Sequence, residues 1–344
     1  MKIREKKLGF IMVMFFAMVF WISLGCSNPS KAEQQGQNAS EQTVAVTTTP
    51  AITTTPDSKV VVAWAKKTAS LKAGKKYTFQ VKAGDVKVES TDVTWSVSNK
   101  KYATITKKGV LKGKQMGTVT VKAKYADSTL TCKVKIKPKK IIGIDAGHQS
   151  SGNSGLEPMG PGSSTMKAKV AGGTCGVSSK VPEYQFTLKI AKALKKELVS
   201  RGYQVVMTRT KNDVNISNKE RAIKINESGA DICIRLHGDG GASSAKGASA
   251  LYPSSRNPYV GKLSKKSLKL SKCIMNTYCK ETGINNRGCI QRDDLTGTNW
   301  STVPVTLIEL GFMTNPSEDR YMQSESGQKA MVKGLADGID DYYK

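Results

Sequence analysis

Histidine is nearly absent from this sequence: 344 residues contain two, His148 and His237. Each closes a short apolar run, Ile141–His148 (IIGIDAGH) and Ile232–His237 (ICIRLH). Runs this rich in β-branched residues and bounded by small ones read as buried strands. A residue used twice, both times where such a strand ends, is not filler. Cysteine excludes rather than suggests. No CxxC pair occurs among the seven; Cys132 is alone in its region, and Cys175, Cys233, Cys273, Cys279 and Cys289 follow at spacings that do not make a disulfide framework. Cys233 lies within a strand pattern and reads as a small hydrophobe. Acids are also scarce, 27 against 54 Lys and Arg, for a formal net charge of +27.

The first 26 residues have to be set aside. Lys2, Arg4, Lys6 and Lys7 precede an apolar run from Leu8 to Gly25, the pattern of a secretory signal. The run ends Ser23-Leu24-Gly25-Cys26 and resembles a bacterial lipobox, with Ser23 where an aliphatic residue is usual. The resemblance implies lipidation at Cys26 and a membrane anchor; an uncleaved anchor or an ordinary signal peptide are the alternatives. All three put the remainder outside the membrane, on its outer side or in the cell wall. Residues 27–58, rich in Ser, Thr, Gln and Ala, lack apolar periodicity and read as a disordered tether. Export leaves no nucleic acid as partner, so the basic charge points to anionic wall polymers and lipid head groups.

Residues 59–137 hold 19 lysines, no arginine and four acids, a net +15. Lysine without arginine suits diffuse attraction rather than bidentate readout. TFQVKA, VTWSVS, ATIT, GVLKG, GTVTVKAKY and LTCKVKIK alternate with period two, about seven short strands in all. Trp95 and Val97, and likewise Val119 and Val121, should fill a core, with lysines toward solvent. The segments LKAGKKYTFQV and VTWSVSNKKYATITKKGVLKGKQMGTVTVKAKY resemble a bacterial Ig-like domain of the second group. That resemblance implies a spacer or adhesion sandwich without catalytic residues; its lysine face is either a polymer-binding surface or a solvated one.

From residue 139 to 344 strands and helices alternate, so the expectation is an α/β domain with a largely parallel twisted sheet flanked by helices. Strands are expected at IIGID, YQVVMTR, DICIRLH and Pro304–Leu310. Helices are expected from Pro182 to Arg201, with Phe186, Ile190, Ala193 and Leu194 on the apolar face, from the Ser217/Glu220 capping box to about Ser228, within Lys262–Thr282, and near Gln328–Tyr342. Asn315 and Glu318 look like a helix-entry turn. Function gathers beyond strand C-termini in such sheets, where His148, His237 and Glu309 fall.

Two imidazoles and a carboxylate, with a fourth position left to water, suit a catalytic Zn²⁺. Glu183, at a helix start near the first histidine loop, is the candidate third ligand; Glu157 is a competing carboxylate with no helix to fix it. Glu309, after a mainly apolar run, is the candidate base. Asp145 either orients His148 or ties down its loop. Arg235, on the face of His237, either contacts substrate or is a salt-bridged sheet residue.

IIGIDAGH, the Glu183 helix, RGYQVVMTR, NISNKERA, DICIRLHGD and VPVTLIELGFMTNPSED resemble, in that order, the zinc-dependent N-acetylmuramoyl-L-alanine amidases of the amidase-3 family. The resemblance implies hydrolysis of the amide between N-acetylmuramic acid and the stem-peptide L-alanine of peptidoglycan, with His148, Glu183 and His237 as zinc ligands and Glu309 as the catalytic glutamate. The chain departs from the family at Gln149, where Gly is usual, and at Arg235-Leu236 before the second histidine. The Gly/Ser-rich segment Ser150–Lys180 is either a groove wall or a surface insertion. A zinc peptidase acting within the stem peptide and a non-catalytic wall-binding protein are the alternative functions.

Overall fold

The computed structural model describes residues 60–344; the signal, Cys26 and tether expectations lie outside them. The lysine-rich region forms ten strands between Val62 and Lys137, arranged as sheets of three, four and three strands. That is more than the seven expected, because several runs break into pieces of two to four residues. Phe79, Leu111, Val119, Val121, Val134 and Ile136 are fully buried. Trp95 and Val97 pack against this core half-buried rather than filling it.

The α/β domain runs in chain order through β1 (Ile141–Ala146), β2 (Asn153–Pro158), β3 (Met166–Val170), α1 (Glu183–Ser200), β4 (Gln204–Met207), α2 (Asn218–Glu227), β5 (Ile232–Asp239) and β6 (Ala248–Tyr252). It continues with α3 (Ser264–Thr282), β7 (Asn286–Gln291), the single turn α4 (Thr296–Asn299), β8 (Val305–Phe312), α5 (Pro316–Gln323) and α6 (Glu325–Tyr342). The central sheet has the order β4-β1-β5-β8-β6-β7. Its pairs are parallel except β6 with β8, which is antiparallel, so the sheet is mixed.

Alternation along β1 and β5 divides the core. Ile142, Ile144, Ile232, Ile234 and Leu236 pack with Phe186, Ile190 and Leu194 of α1 and with α3 and α6. The opposite face meets α2, where Ile225 packs with Ile141, Cys233 and Val305. Asp145, Arg235, His237 and Glu309 belong by strand parity to this α2 side. Ala193 is exposed; Ala191 is buried instead, because the stripe follows the Phe186–Ile190–Leu194–Leu198 row and Ala193 lies beyond its edge. The α2 capping box forms as expected: Glu220 N–H donates to Ser217 Oγ at 3.1 Å, and Ser217 N–H donates to Glu220 at 2.7 Å. Asn315 caps α5 by accepting from the Ser317 and Glu318 amides.

α1 stops at Gly202, whose φ is +91°. Its carbonyl accepts from the Lys139 amide at 2.8 Å, and a Cβ there would stand 2.6 Å from the Lys114 carbonyl oxygen. The glycine thus ends the helix and lets the β-rich region pack against it.

Candidate metal centre and active site

His148 lies two residues past β1 in the left-handed region, at φ +59°, a conformation that costs a non-glycine residue energy. Two buried guanidiniums hold the backbone there. Arg209 donates to the carbonyls of Ala146 at 2.9 Å and Gly147 at 3.0 Å. Arg221 donates to the carbonyls of Ala146 and His148, both at 2.8 Å. The Thr187 hydroxyl adds a bond to the Gly147 carbonyl at 2.8 Å. Gln149, the departure from the family pattern, is 1 % exposed, and its Oε1 accepts from Arg221 and from the Ile216 amide. A glycine could not make either bond.

Asp145 anchors the arginines. Its carboxylate is 2 % exposed and accepts from Arg221 and Arg235, each at 3.0 Å, and from the Thr208 hydroxyl at 2.6 Å. Burial alone would raise its pKa, but the two guanidiniums and Thr208 outweigh it and hold the carboxyl well below the usual range. Its hydrogen bonds go to Arg221, Arg235 and Thr208, and it reaches the histidine loop through Arg221.

Three side-chain atoms converge. His148 Nε2 lies 3.1 Å from His237 Nδ1 and 3.2 Å from Glu183 Oε1, and His237 Nδ1 lies 3.0 Å from the same oxygen. Glu183 heads α1 and is aimed by its neighbours: the Thr174 amide donates to Oε2 at 2.9 Å and the Gly238 amide to Oε1 at 3.0 Å. His148 Nδ1 is 2.8 Å from the Ala171 carbonyl, so it serves as the N–H donor and leaves Nε2 as a lone pair. Burial disfavours charge on both rings. At His148 the bond and charge of Glu183 prevail and raise the pKa; at His237 burial prevails and lowers it. Glu183 is itself held far below the usual carboxylate range, the histidines overcoming burial.

Two imidazole nitrogens and a carboxylate oxygen facing one another make a donor set that could hold a cation. Tetrahedral ligands about 2.0–2.1 Å from zinc stand about 3.3 Å apart, close to the triangle observed. Among the described residues, His148, Glu183 and His237 form a group that could hold a metal ion. Glu157 is not part of it; it is buried in β2 and accepts from the Lys219 amide at 3.1 Å.

Glu309 sits opposite His237 in the β5–β8 register. Burial, followed by the negative charges of Glu183 and Asp239, pushes its carboxyl up to about 8. Its Oε2 and His237 Nε2 are both buried without a hydrogen-bond partner. A cleft of about 250 Å³ opens beside the histidines, lined by Lys167, Asn218, Arg235 and Asp294 among others. The β2–β3 hairpin, from the Gly/Ser-rich segment, contributes Lys167 and Val170 to it, so that segment forms a wall of the cleft.

Comparison with known proteins follows this division. The model of the bacterial Ig-like domain (group 2) matches residues 49–134. The model described as N-acetylmuramoyl-L-alanine amidase, Amidase_3, matches residues 142–341, more than half of the chain. The chain belongs to the Amidase_3 family. An N-acetylmuramoyl-L-alanine amidase of Mycobacterium tuberculosis is 28% identical over 207 residues, 58% of this chain and 84% of that protein. A Staphylococcus epidermidis protein named "Probable cell wall amidase LytH" is 28% identical over 173 residues, 50% of this chain and 54% of its own length. This amidase therefore spans about half of that relative. Among solved structures, the apo form of Ami1 from Mycobacterium abscessus aligns with a TM-score of 0.55 at 25% identity, over 60% of this chain and 100% of that one.

Arg209 and Arg221 went unread as site residues of the amidase. Arg221 had a signal: it lies four residues before the buried Ile225, on the packed side of α2. A charged residue at core spacing is unusual unless it is paired.

Proposed function

We propose that this amidase hydrolyses the bond between N-acetylmuramic acid and the L-alanine of the peptidoglycan stem peptide, using zinc held by His148, Glu183 and His237, with Glu309 as the catalytic base. The reaction follows from the family; the convergence of three donor atoms within 3.0–3.2 Å carries the role assignment. When bound, zinc supplies a Lewis acid that polarises a carbonyl and brings the pKa of water toward about 7. Glu183 and the two rings are already aimed by the Thr174, Gly238 and Ala171 backbone groups, so binding needs little rearrangement. Glu309, raised in proton affinity by burial, takes a proton from the attacking water and passes it to the departing amine.

The remaining assignments rest on composition. Export, lipidation at Cys26 and a tether over residues 27–58 would hold the enzyme at the outer side of the membrane or in the wall. The domain at 59–137, with its net +15, would add diffuse attraction to anionic wall polymers.

The deciding experiment incubates the protein with purified peptidoglycan, with zinc and after EDTA treatment. New N-terminal L-alanine that disappears with EDTA and returns with zinc is the expected result. New termini inside the stem peptide would make the enzyme a peptidase, and unchanged walls would leave a binding protein.

A further inference from the structure

We propose that Arg235 forms a carboxylate subsite on the leaving-peptide side of the scissile amide, which reads the free α-carboxylate of the second stem residue. This rests on the amidase reading above.

The Arg235 side chain is 6% exposed and lines the cleft beside both histidines. Its Nε donates to Asp145 at 3.0 Å and its Nη2 donates to Asn218 Oδ1 at 3.0 Å. Among the described residues these are its side-chain hydrogen bonds, so Nη1 is left over as a donor. Asp145 cannot neutralise the group alone, because it is shared with Arg221. The acid across the cleft, Asp294, is committed to Arg292 at 2.7 Å and to Lys167 at 3.3 Å. Of the charged side chains that line the cleft, Lys167 and Arg235 face the single acid Asp294, and the Arg235 guanidinium is buried and oriented. Gly297 closes over it: a Cβ there would stand 2.5 Å from Arg235 Cζ, so the guanidinium has no room to turn away. A planar fork with a free donor suits a carboxylate.

Spacing selects which carboxylate. Arg235 and His237 are two apart on β5, hence on one face and about 6.6 Å apart along the strand. An extended peptide covers about the same distance in two residues. With the scissile carbonyl at the histidines, the backbone carboxyl of the second stem residue, a glutamate joined onward through its side chain, falls at Arg235.

The test uses the zinc-loaded full chain and two muropeptides, identical except that this carboxylate is free in one and amidated in the other. Losing one charge-assisted hydrogen bond should cost about ten- to a hundredfold in kcat/KM. The loss should appear mainly in KM, because the contact exists before reaction. In Arg235→Gln the ratio should fall to about one. Should that variant fail to fold, Arg235→Lys keeps a charge beside Asp145 but loses the fork, and its ratio should also fall. Equal wild-type rates on the two substrates overturn the subsite, as does a variant that folds and keeps the wild-type preference. Failure to cleave either substrate at the L-alanine bond would instead count against the amidase reading itself.

Discussion

His237 and Glu309 face each other across the parallel pairing of β5 and β8, one a metal-ligand candidate and the other the candidate base. Paired residues in a sheet project to the same face, so the register alone brings ring and carboxylate together. The pairing slips between His237 and Asp239 directly afterwards, an irregularity of the kind that re-aims side chains beside active sites. Both residues also keep a buried polar atom without a partner, His237 Nε2 and Glu309 Oε2. Leaving such atoms unpaired costs about 1–3 kcal/mol each.

Glu309→Gln should therefore separate binding from chemistry. The amide matches the carboxylate in shape but cannot take a proton. Turnover should fall by about 10²–10⁴-fold, while zinc content, measured on the same preparation, stays at the wild-type ratio. A variant retaining near-wild-type turnover would remove Glu309 from the mechanism.

Glu183 and Glu157 make a paired comparison. Glu183 Oε1 touches both histidines, whereas Glu157 binds the start of α2. After dialysis against a weak chelator, Glu183→Gln should retain little zinc and Glu157→Gln should retain all of it. The reverse pattern would show that the long segment before α1 supplies the ligand.

Asp145 is a stability prediction with a pH signature. Asp145→Asn strands two buried guanidiniums, and breaking a buried pair costs about 3–5 kcal/mol. Urea midpoints should show it. The folded carboxyl has a depressed pKa, so its contribution is fully present above the unfolded value of about 3.9 and is lost as pH falls through the folded one. Wild type and Asp145→Asn should thus differ by a constant amount from neutral pH down to about 5. A gap that closes between pH 7 and 5 would contradict the pairing.

Much of this arrangement is legible in the residues because strong local patterns agree with the global fold. The buried strands, the α1 and α2 boundaries and the rare histidines all carry their own signal. β6 and β7 did not, for physical reasons. ASALY is short and NRGCIQ is an edge strand with mostly exposed or half-exposed residues, so neither has the apolar run of a central strand. Strand direction is not a local property at all, which hides the antiparallel β6–β8 pair within a pattern of alternating strands and helices. The Arg209–Arg221 grip on the His148 loop is invisible for a related reason, because it joins residues 62–75 positions apart through backbone carbonyls that every sequence has.

Glycine 173 tests whether the cluster's tightness matters in itself. Gly173 has φ +82°, and a Cβ there would lie 2.9 Å from His148 Cγ and 3.0 Å from Glu183 Oε2. Gly173→Ala must both adopt a left-handed alanine, at about 1–2 kcal/mol, and push two ligand side chains. Gly162 separates the effects: its φ is +76°, but a Cβ there meets nothing within 4 Å. Both variants should lose the thermal stability that a left-handed alanine costs, and Gly173→Ala should lose more because it also carries the clash. Only Gly173→Ala should lose zinc affinity and activity, because the ligand triangle has no slack to absorb a methyl group. Equal zinc binding in the two variants would mean that the cluster adjusts freely, and that the 3.0–3.2 Å spacing is not what holds the metal.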